Sequence, residues 1–252
     1  MEEFKVSIII PVYNNPLIER ALQSVRNTVR RPTTEVIVVD GGSNDGTKEI
    51  IEKNADLVDV FISERAAGPY DAANKGIRRA KGTWILWLAA DDELLMDPEE
   101  LLSAHAADRY DVICGSVLSE KRNGEFVTVP SDPDLKKLDV HCTLRQPATL
   151  FRREKLLEAG LYDLQYRYAA DRELFLRLRE HGARFLIVDE LFVRFYFGGL
   201  TTSKKVLDSY REDCRISRQY GKSRLAADGY YYQRVCILYL KQLLLRALGH
   251  RR

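Results

Sequence analysis

The chain has 252 residues, 45% hydrophobic and 30% charged, which is enough to bury a full core and too apolar for a disordered tail. With 39 basic against 37 acidic side chains, no global field selects nucleic acid as a partner. Cys114, Cys142, Cys214 and Cys236 stand far apart without CxxC pairs, which predicts reduced thiols and no sulfur-ligated metal. The acidic start Met-Glu-Glu-Phe-Lys is unlike a signal peptide, and no apolar run reaches the roughly 20 residues that span a bilayer, so the expected location is the cytoplasm.

In chain order, residues 6–12 form a nearly continuous β-branched run, and Leu17, Ala21, Leu22 and Val25 then recur at helical spacing. A second buried strand covers 36–39, a helix carries Ile50 and Ile51, and a third strand covers 58–62. Residues 71–80 read as helix and 84–88 as the fourth strand; 98–107 read as a helix capped by Asp97, and 112–118 as a further strand. Helical patterns follow at 168–178, 206–220 and 230–248. The alternation predicts an α/β fold, a mostly parallel central sheet flanked by helices on both faces, with a helical C-terminal extension.

Parallel strands deliver the residues that follow them to one edge of the sheet, the edge where ligands bind in open α/β folds. Pro11, Tyr13 and Asn14 follow the first strand, Asp40, Gly41 and Gly42 the second, and Asp91 with Asp92 the fourth. Adjacent carboxylates repel unless a cation or a donor-rich ligand lies between them, and hard oxygen ligands beside a diphosphate suit Mg²⁺ or Mn²⁺. Two plainer roles stay open: a polar turn at 40–46 that caps the next helix through Ser43 or Asp45, and a solvated loop at Asp91-Asp92. The helix that opens after Gly68-Pro69, with Asp71, Asn74 and Lys75 in its first turns, presents its amino end to an anionic ligand or caps itself at the surface.

Four motifs, Val-Ser-Ile-Ile-Ile-Pro-Val-Tyr-Asn-Asn, Glu-Val-Ile-Val-Val-Asp-Gly-Gly-Ser-Asn-Asp-Gly-Thr, Gly-Pro-Tyr-Asp-Ala-Ala-Asn-Lys-Gly and Ala-Ala-Asp-Asp-Glu, occur in an order and spacing that resembles family 2 glycosyltransferases with the GT-A (Rossmann-like) fold. The resemblance runs from residue 5 to about 200. It implies an inverting transferase that uses a nucleotide-sugar donor, usually a UDP-sugar, and a divalent cation. It implies that Pro11, Tyr13 and Asp40 hold base and ribose, with Asp40 accepting from a pyrimidine imide N–H, and that the stretch from Asp71 through Asn74 to Lys75 lies beside the nucleotide. Asp91 and Asp92 are both candidates for the metal, Asp91 also for a sugar-nucleotide contact. The family pattern departs at Ala89, where many relatives carry a further acid.

The same comparison divides the chain into a catalytic domain over 1–203, with a nucleotide-sugar half at about 1–118 and an acceptor half at about 119–203, and an extension over 204–252. Inverting transfer needs a base for the acceptor hydroxyl. Asp171 shares a helix face with Leu174, Phe175 and Leu178 and therefore points inward, where a carboxylate is costly without a cavity or a donor. Its position matches the last acid of the family's Glu-Asp signature, although Ala170 replaces the preceding acid; the alternative is an acid that favours the helix dipole. Gln146 and Arg152 flank a stretch that resembles the family's acceptor-side strand, His141 reads as a loop residue, and 198–202 resembles a loop closing over the diphosphate. The expected acceptor is a glycan or lipid-linked sugar of cell-surface polysaccharide synthesis. The leucine-rich, basic segment 230–252 packs on the catalytic domain or a second subunit, as in a homodimer, or rests peripherally on an anionic membrane. A non-catalytic nucleotide-sugar-binding or scaffold subunit is the alternative function.

Overall fold

The computed structural model describes residues 5–30, 32–121, 123–196 and 203–247. In chain order the elements are β1 (Val6–Val12), α1 (Ile18–Thr28), β2 (Thr34–Asp40), α2 (Thr47–Lys53), β3 (Val60–Ser63), α3 (Pro69–Arg79), β4 (Trp84–Trp87), β5 (Glu93–Leu94), α4 (Pro98–Ala104), β6 (Val112–Glu120), β7 (Phe126–Val129), β8 (Thr149–Arg152), α5 (Arg153–Ala159), α6 (Ala170–Glu180), β9 (Phe185–Phe195), α7 (Ser203–Gln219) and α8 (Arg224–Ala247).

One sheet collects the strands in the order β3-β2-β1-β4-β8-β6-β9-β5, with β7 hydrogen-bonded to β6. The predicted parallel arrangement covers β3, β2, β1 and β4, which share one direction. Beyond β4 the sheet is mixed: β8 runs antiparallel to both β4 and β6, while β6 and β9 pair in parallel across a register shift. Only short 3-10 turns, Leu135–Asp139 and Gln146–Ala148, precede β8. Without a crossover helix there, the strand enters the sheet in the opposite sense.

The pleat of β1 divides the core. Ile8, Ile10 and Val12 face the layer of α1, α2 and α4 through Leu22, Val25, Ile51 and Leu101, whereas Ile9 faces α3, α5 and α6 through Ala73, Ile77, Leu156 and Phe175. A sheet covered on both faces explains why β1 and β2 are buried at every position, so that their sequences read as unbroken apolar runs. At the amino edge, buried Glu35 accepts from Ser7 Oγ at 2.6 Å and from the amides of Lys81 and Gly82 at 2.5 and 3.0 Å, which fixes the turn that launches β4. Among the described residues no helix is long and apolar enough to cross a membrane.

At Gly76, helix α3 lies too close to the sheet to admit a side chain. A Cβ there would lie 2.5 Å from Ile9 Cγ2 and 3.2 Å from Val39 Cγ2. Gly76→Ala gains about 1 kcal/mol of helix propensity and loses roughly 1–3 kcal/mol to overpacking. The expected net result, read by thermal or denaturant unfolding, is a lower melting temperature; a rise would show that α3 can move off the sheet.

Candidate active site

The loops after β1 and β2 are zipped together before any ligand arrives. Val12 and Asp40 lie side by side in the parallel register, and Gly41 N–H donates to Val12 O at 2.8 Å. Asn14 adopts a left-handed conformation (φ 45°) that lets its amide donate to Ser43 Oγ at 2.8 Å while its side-chain oxygen accepts from Asn44 N–H at 2.9 Å. Tyr13 is left at the crest, 63% exposed, with its ring over Gly41, where an added Cβ would come within 3.3 Å. Pro11 stays buried in β1 below it.

Asp40 is fully buried, and its carboxylate organises the second loop. It accepts from the amides of Gly42 and Ser43 and from Ser63 Oγ (2.7 Å), with Lys48 Nζ at 3.6 Å. Burial opposes its charge, yet the bonds from Ser43, Ser63 and the backbone prevail and hold it below the usual carboxylate range. The helix cap anticipated at Ser43 or Asp45 is not made: the N-cap position of α2 is Gly46, with no side-chain cap bond, while Asp45 accepts from Thr47 N–H in the preceding turn and Ser43 serves the Asn14 amide.

At the end of β4 the chain turns so that Asp91 is partly buried and Asp92 is 1% exposed. Arg20 from α1 donates to the Asp91 carbonyl at 3.1 Å and stacks over Tyr196 at 3.8 Å; Glu93 is held by Arg194 at 2.5 Å and by Tyr196 Oη at 2.9 Å. These bonds lock the turn from α1 and from the end of β9. Asp92 Oδ1 accepts from Tyr196 N–H at 3.2 Å, whereas Oδ2 is buried with no hydrogen-bond partner among the described residues. Burial pushes the Asp92 carboxyl up to about 8, and the charge of Asp91 adds to the shift. A buried carboxylate oxygen without a donor, beside a second carboxylate, fits a divalent cation. No third His, Cys, Asp or Glu among the described residues joins the pair, so phosphate oxygens and waters would have to complete the coordination.

The α3 residues divide. Asp71 accepts from Ala67 N–H at 2.9 Å, and Lys75 Nζ donates to Arg65 O at 2.7 Å and pairs with Glu64 at 3.0 Å. Asn74, expected beside the nucleotide, is buried and its amide bonds Tyr162, accepting from the backbone N–H at 3.0 Å and donating to the carbonyl at 2.8 Å. Asn74 thereby braces α3 against the segment that precedes α6.

Asp171 lies in the first turn of α6. The residue keeps some exposed surface, but its carboxyl is enclosed, with Tyr70 Oη at 3.5 Å and Cys142 Sγ at 3.8 Å. Burial pushes it up to about 6, against the lowering effect of the Arg172 amide. The rings of Tyr70, Trp87 and Tyr162 meet pairwise at 5.2–5.4 Å, so a continuous aromatic contact joins the end of β4 to Asp171. Sequence reasoning passed over these three rings; Tyr70 directly precedes Asp71 and Trp87 closes β4, but only the fold makes them neighbours. The adjoining loop carries three buried polar atoms without partners among the described residues, His141 Nδ1, Thr143 Oγ1 and Gln146 Nε2. His141 stacks on Tyr230 of α8 at 5.7 Å. Arg152 is a clamp, bonding to Tyr110 O at 3.1 Å and to Ala107 O at 3.3 Å. The segment 198–202, and with it the expected diphosphate loop, lies outside the described residues.

The family model described as glycosyl transferase family 2 matches residues 7–170. A PGL/p-HBAD biosynthesis glycosyltransferase of Mycobacterium bovis (strain BCG / Pasteur 1173P2) is 32% identical over 212 residues, 78% of this chain and 79% of that protein. A Campylobacter jejuni protein named GalNAc(5)-diNAcBac-PP-undecaprenol beta-1,3-glucosyltransferase is 33% identical over 122 residues, 46% of this chain and 39% of its own. Among solved structures, S. aureus TarS 1-349 in complex with UDP superposes with a TM-score of 0.66 at 18% identity, covering 90% of this chain and 70% of that one. The mixed, helix-covered sheet is the GT-A fold, and the chain belongs to glycosyl transferase family 2.

Proposed function

We propose that the protein is an inverting glycosyltransferase that moves a sugar from a nucleoside diphosphate sugar of the UDP type to a hydroxyl of a glycan or lipid-linked acceptor. The observation that carries this reading is the pair of opposed acids: the Asp91–Asp92 turn, with one buried oxygen unpaired, at the strand end, and the enclosed Asp171 across the Tyr70–Trp87 contact. Exposed Tyr13 above the Asp40 loop supports a stacking surface for the base and ribose. Asp91 and Asp92 would hold a divalent cation, Mg²⁺ or Mn²⁺, which when bound neutralises charge on the leaving diphosphate. Asp171 takes the proton of the acceptor hydroxyl, whose oxygen forms the new bond to the anomeric carbon as the bond to the diphosphate oxygen breaks on the opposite face. An α-linked donor thereby gives a β-glycoside.

The acceptor side supports a lipid-linked substrate. On α8, Leu225, Tyr232, Ile237, Tyr239, Leu240 and Leu243 are exposed, Arg224 stands beside them, and Tyr230 of the same helix touches the His141 loop. An exposed apolar face on a helix whose sequence carries Arg224, Arg234, Lys241 and Arg246 suits an anionic membrane surface, and one relative's name contains PP-undecaprenol.

Three outcomes follow. Asp171→Asn should lower turnover by about 10²–10⁴-fold, with retained donor binding. Because Asp171 must be ionised to act and its carboxyl is pushed up to about 6, turnover of the parent enzyme should be half-maximal near that pH, falling below it and levelling above; wild-type turnover in the variant, or a retained anomeric configuration in the product, would overturn the mechanism. Asp92→Asn removes a carboxyl that the metal-free fold holds near neutral pH only by taking up a proton, so the metal-free protein should melt at a temperature higher by roughly a few degrees while nucleotide-sugar transfer and hydrolysis both collapse; Asp91→Asn should lose turnover likewise. Unchanged activity in both variants would remove the cation from this turn. Finally, the whole protein should co-float with phosphatidylglycerol vesicles and lose binding at high salt; a homodimer by light scattering with no flotation would assign the α8 face to a second subunit.

A further inference from the structure

Helix α6, which carries Asp171, begins without a cap of its own. Its N-cap position is Ala169, which offers no side-chain acceptor. What is held instead is the approach to the helix: the Glu212 carboxylate of α7 accepts from three consecutive amides that precede α6, Arg167 at 2.9 Å, Tyr168 at 2.8 Å and Ala169 at 2.9 Å. On the other side of Asp171, Arg172 is fully buried and donates to Leu138 O at 2.8 Å, to Asp213 O and Oδ1 at 2.7 and 2.9 Å and to Ser217 Oγ at 2.8 Å. Two further contacts of α7 go to the same stretch. Gln219 accepts from Tyr166 Oη at 2.6 Å, and Arg215 lies over the Tyr166 ring at 4.7 Å. One helix thus clamps residues 166–172 from both sides of Asp171, and it lies beyond the 7–170 segment that matches the family.

We infer that Glu212 is a positioning residue for glycosyl transfer: it fixes the backbone that enters α6 and thereby aims the Asp171 carboxyl at the acceptor hydroxyl. Three charge-assisted amide bonds leave the segment little freedom, and a misplacement of about 1 Å at a reacting group can cost on the order of 10²-fold in rate. The extension expected to begin at residue 204 is then, through α7, part of the catalytic unit. The inference rests on Asp171 being the base.

The test compares Glu212→Gln, Asp171→Asn and the double variant by steady-state kinetics, with UDP affinity from calorimetry and with thermal unfolding. Glutamine keeps one acceptor oxygen and sets an N–H₂ against backbone donors. The expected result is a kcat at least ~10-fold lower, with donor KM and UDP affinity within about twofold of wild type, and little further loss when the substitution is added to Asp171→Asn, since residues acting as a unit are non-additive. Wild-type kcat in Glu212→Gln, or an equal loss in the Asp171→Asn background, overturns the inference, as does a loss of UDP affinity matching that of kcat. If Glu212→Gln is insoluble, Glu212→Asp keeps the charge on a shorter arm, and wild-type kcat there also overturns it. Wild-type turnover in Asp171→Asn would instead remove the base itself, whatever Glu212 does.

Discussion

A buried carboxylate has to find donors, and most of this molecule's loops are built to supply them. Glu35 gathers Ser7 and the amides that start β4; Asp40 gathers Gly42, Ser43 and Ser63; Asp97 accepts from the amides of Arg30 and Glu99; Glu212 gathers three amides before α6. Each anion fixes a segment distant in sequence, because desolvating it without those bonds would cost more than the loop's freedom. Against that background Asp92 stands out. Its second oxygen is as deeply buried and has no such donor among the described residues, and this exception is what supports the proposed cation site.

The two halves of the sheet divide the work accordingly. The parallel half brings the ends of β1, β2 and β4 to one edge because all three run in the same direction. The mixed half closes over that edge from the other side, and β9 delivers Arg194 and Tyr196 to the turn that holds the acid pair. Rigidity at the site therefore comes from strands that contribute no candidate ligand side chain. Tyr13 stays exposed at the crest of the first loop, which supports its proposed place against the base.

Alternating apolar runs made the parallel strands readable, and with them the shared position of Asp40 and Asp91, since both follow from chain direction alone. Asp171 was readable as an inward acid from its spacing to Leu174 and Phe175. What spacing does not carry is the identity of partners across the fold. Asn74 sits where a ligand contact was expected, yet the backbone of residue 162 takes its whole amide. The antiparallel entry of β8 depends on a connection made of short turns, which leave no periodic trace. Glu212 lies in a tail whose composition is that of any surface helix, and its partners are 43 to 45 residues away.

The ring contact between β4 and α3 has an optical side. The chain holds two tryptophans, and their surroundings differ. Trp84 lies under the Arg152 guanidinium, 4.9 Å from its ring centre, on a strand buried within the sheet. Trp87, partly exposed, sits among Tyr70 and Tyr162 with Asp171 next in line. Its indole emission is therefore placed to report binding beside the proposed base, Asp171, in the unlabelled protein.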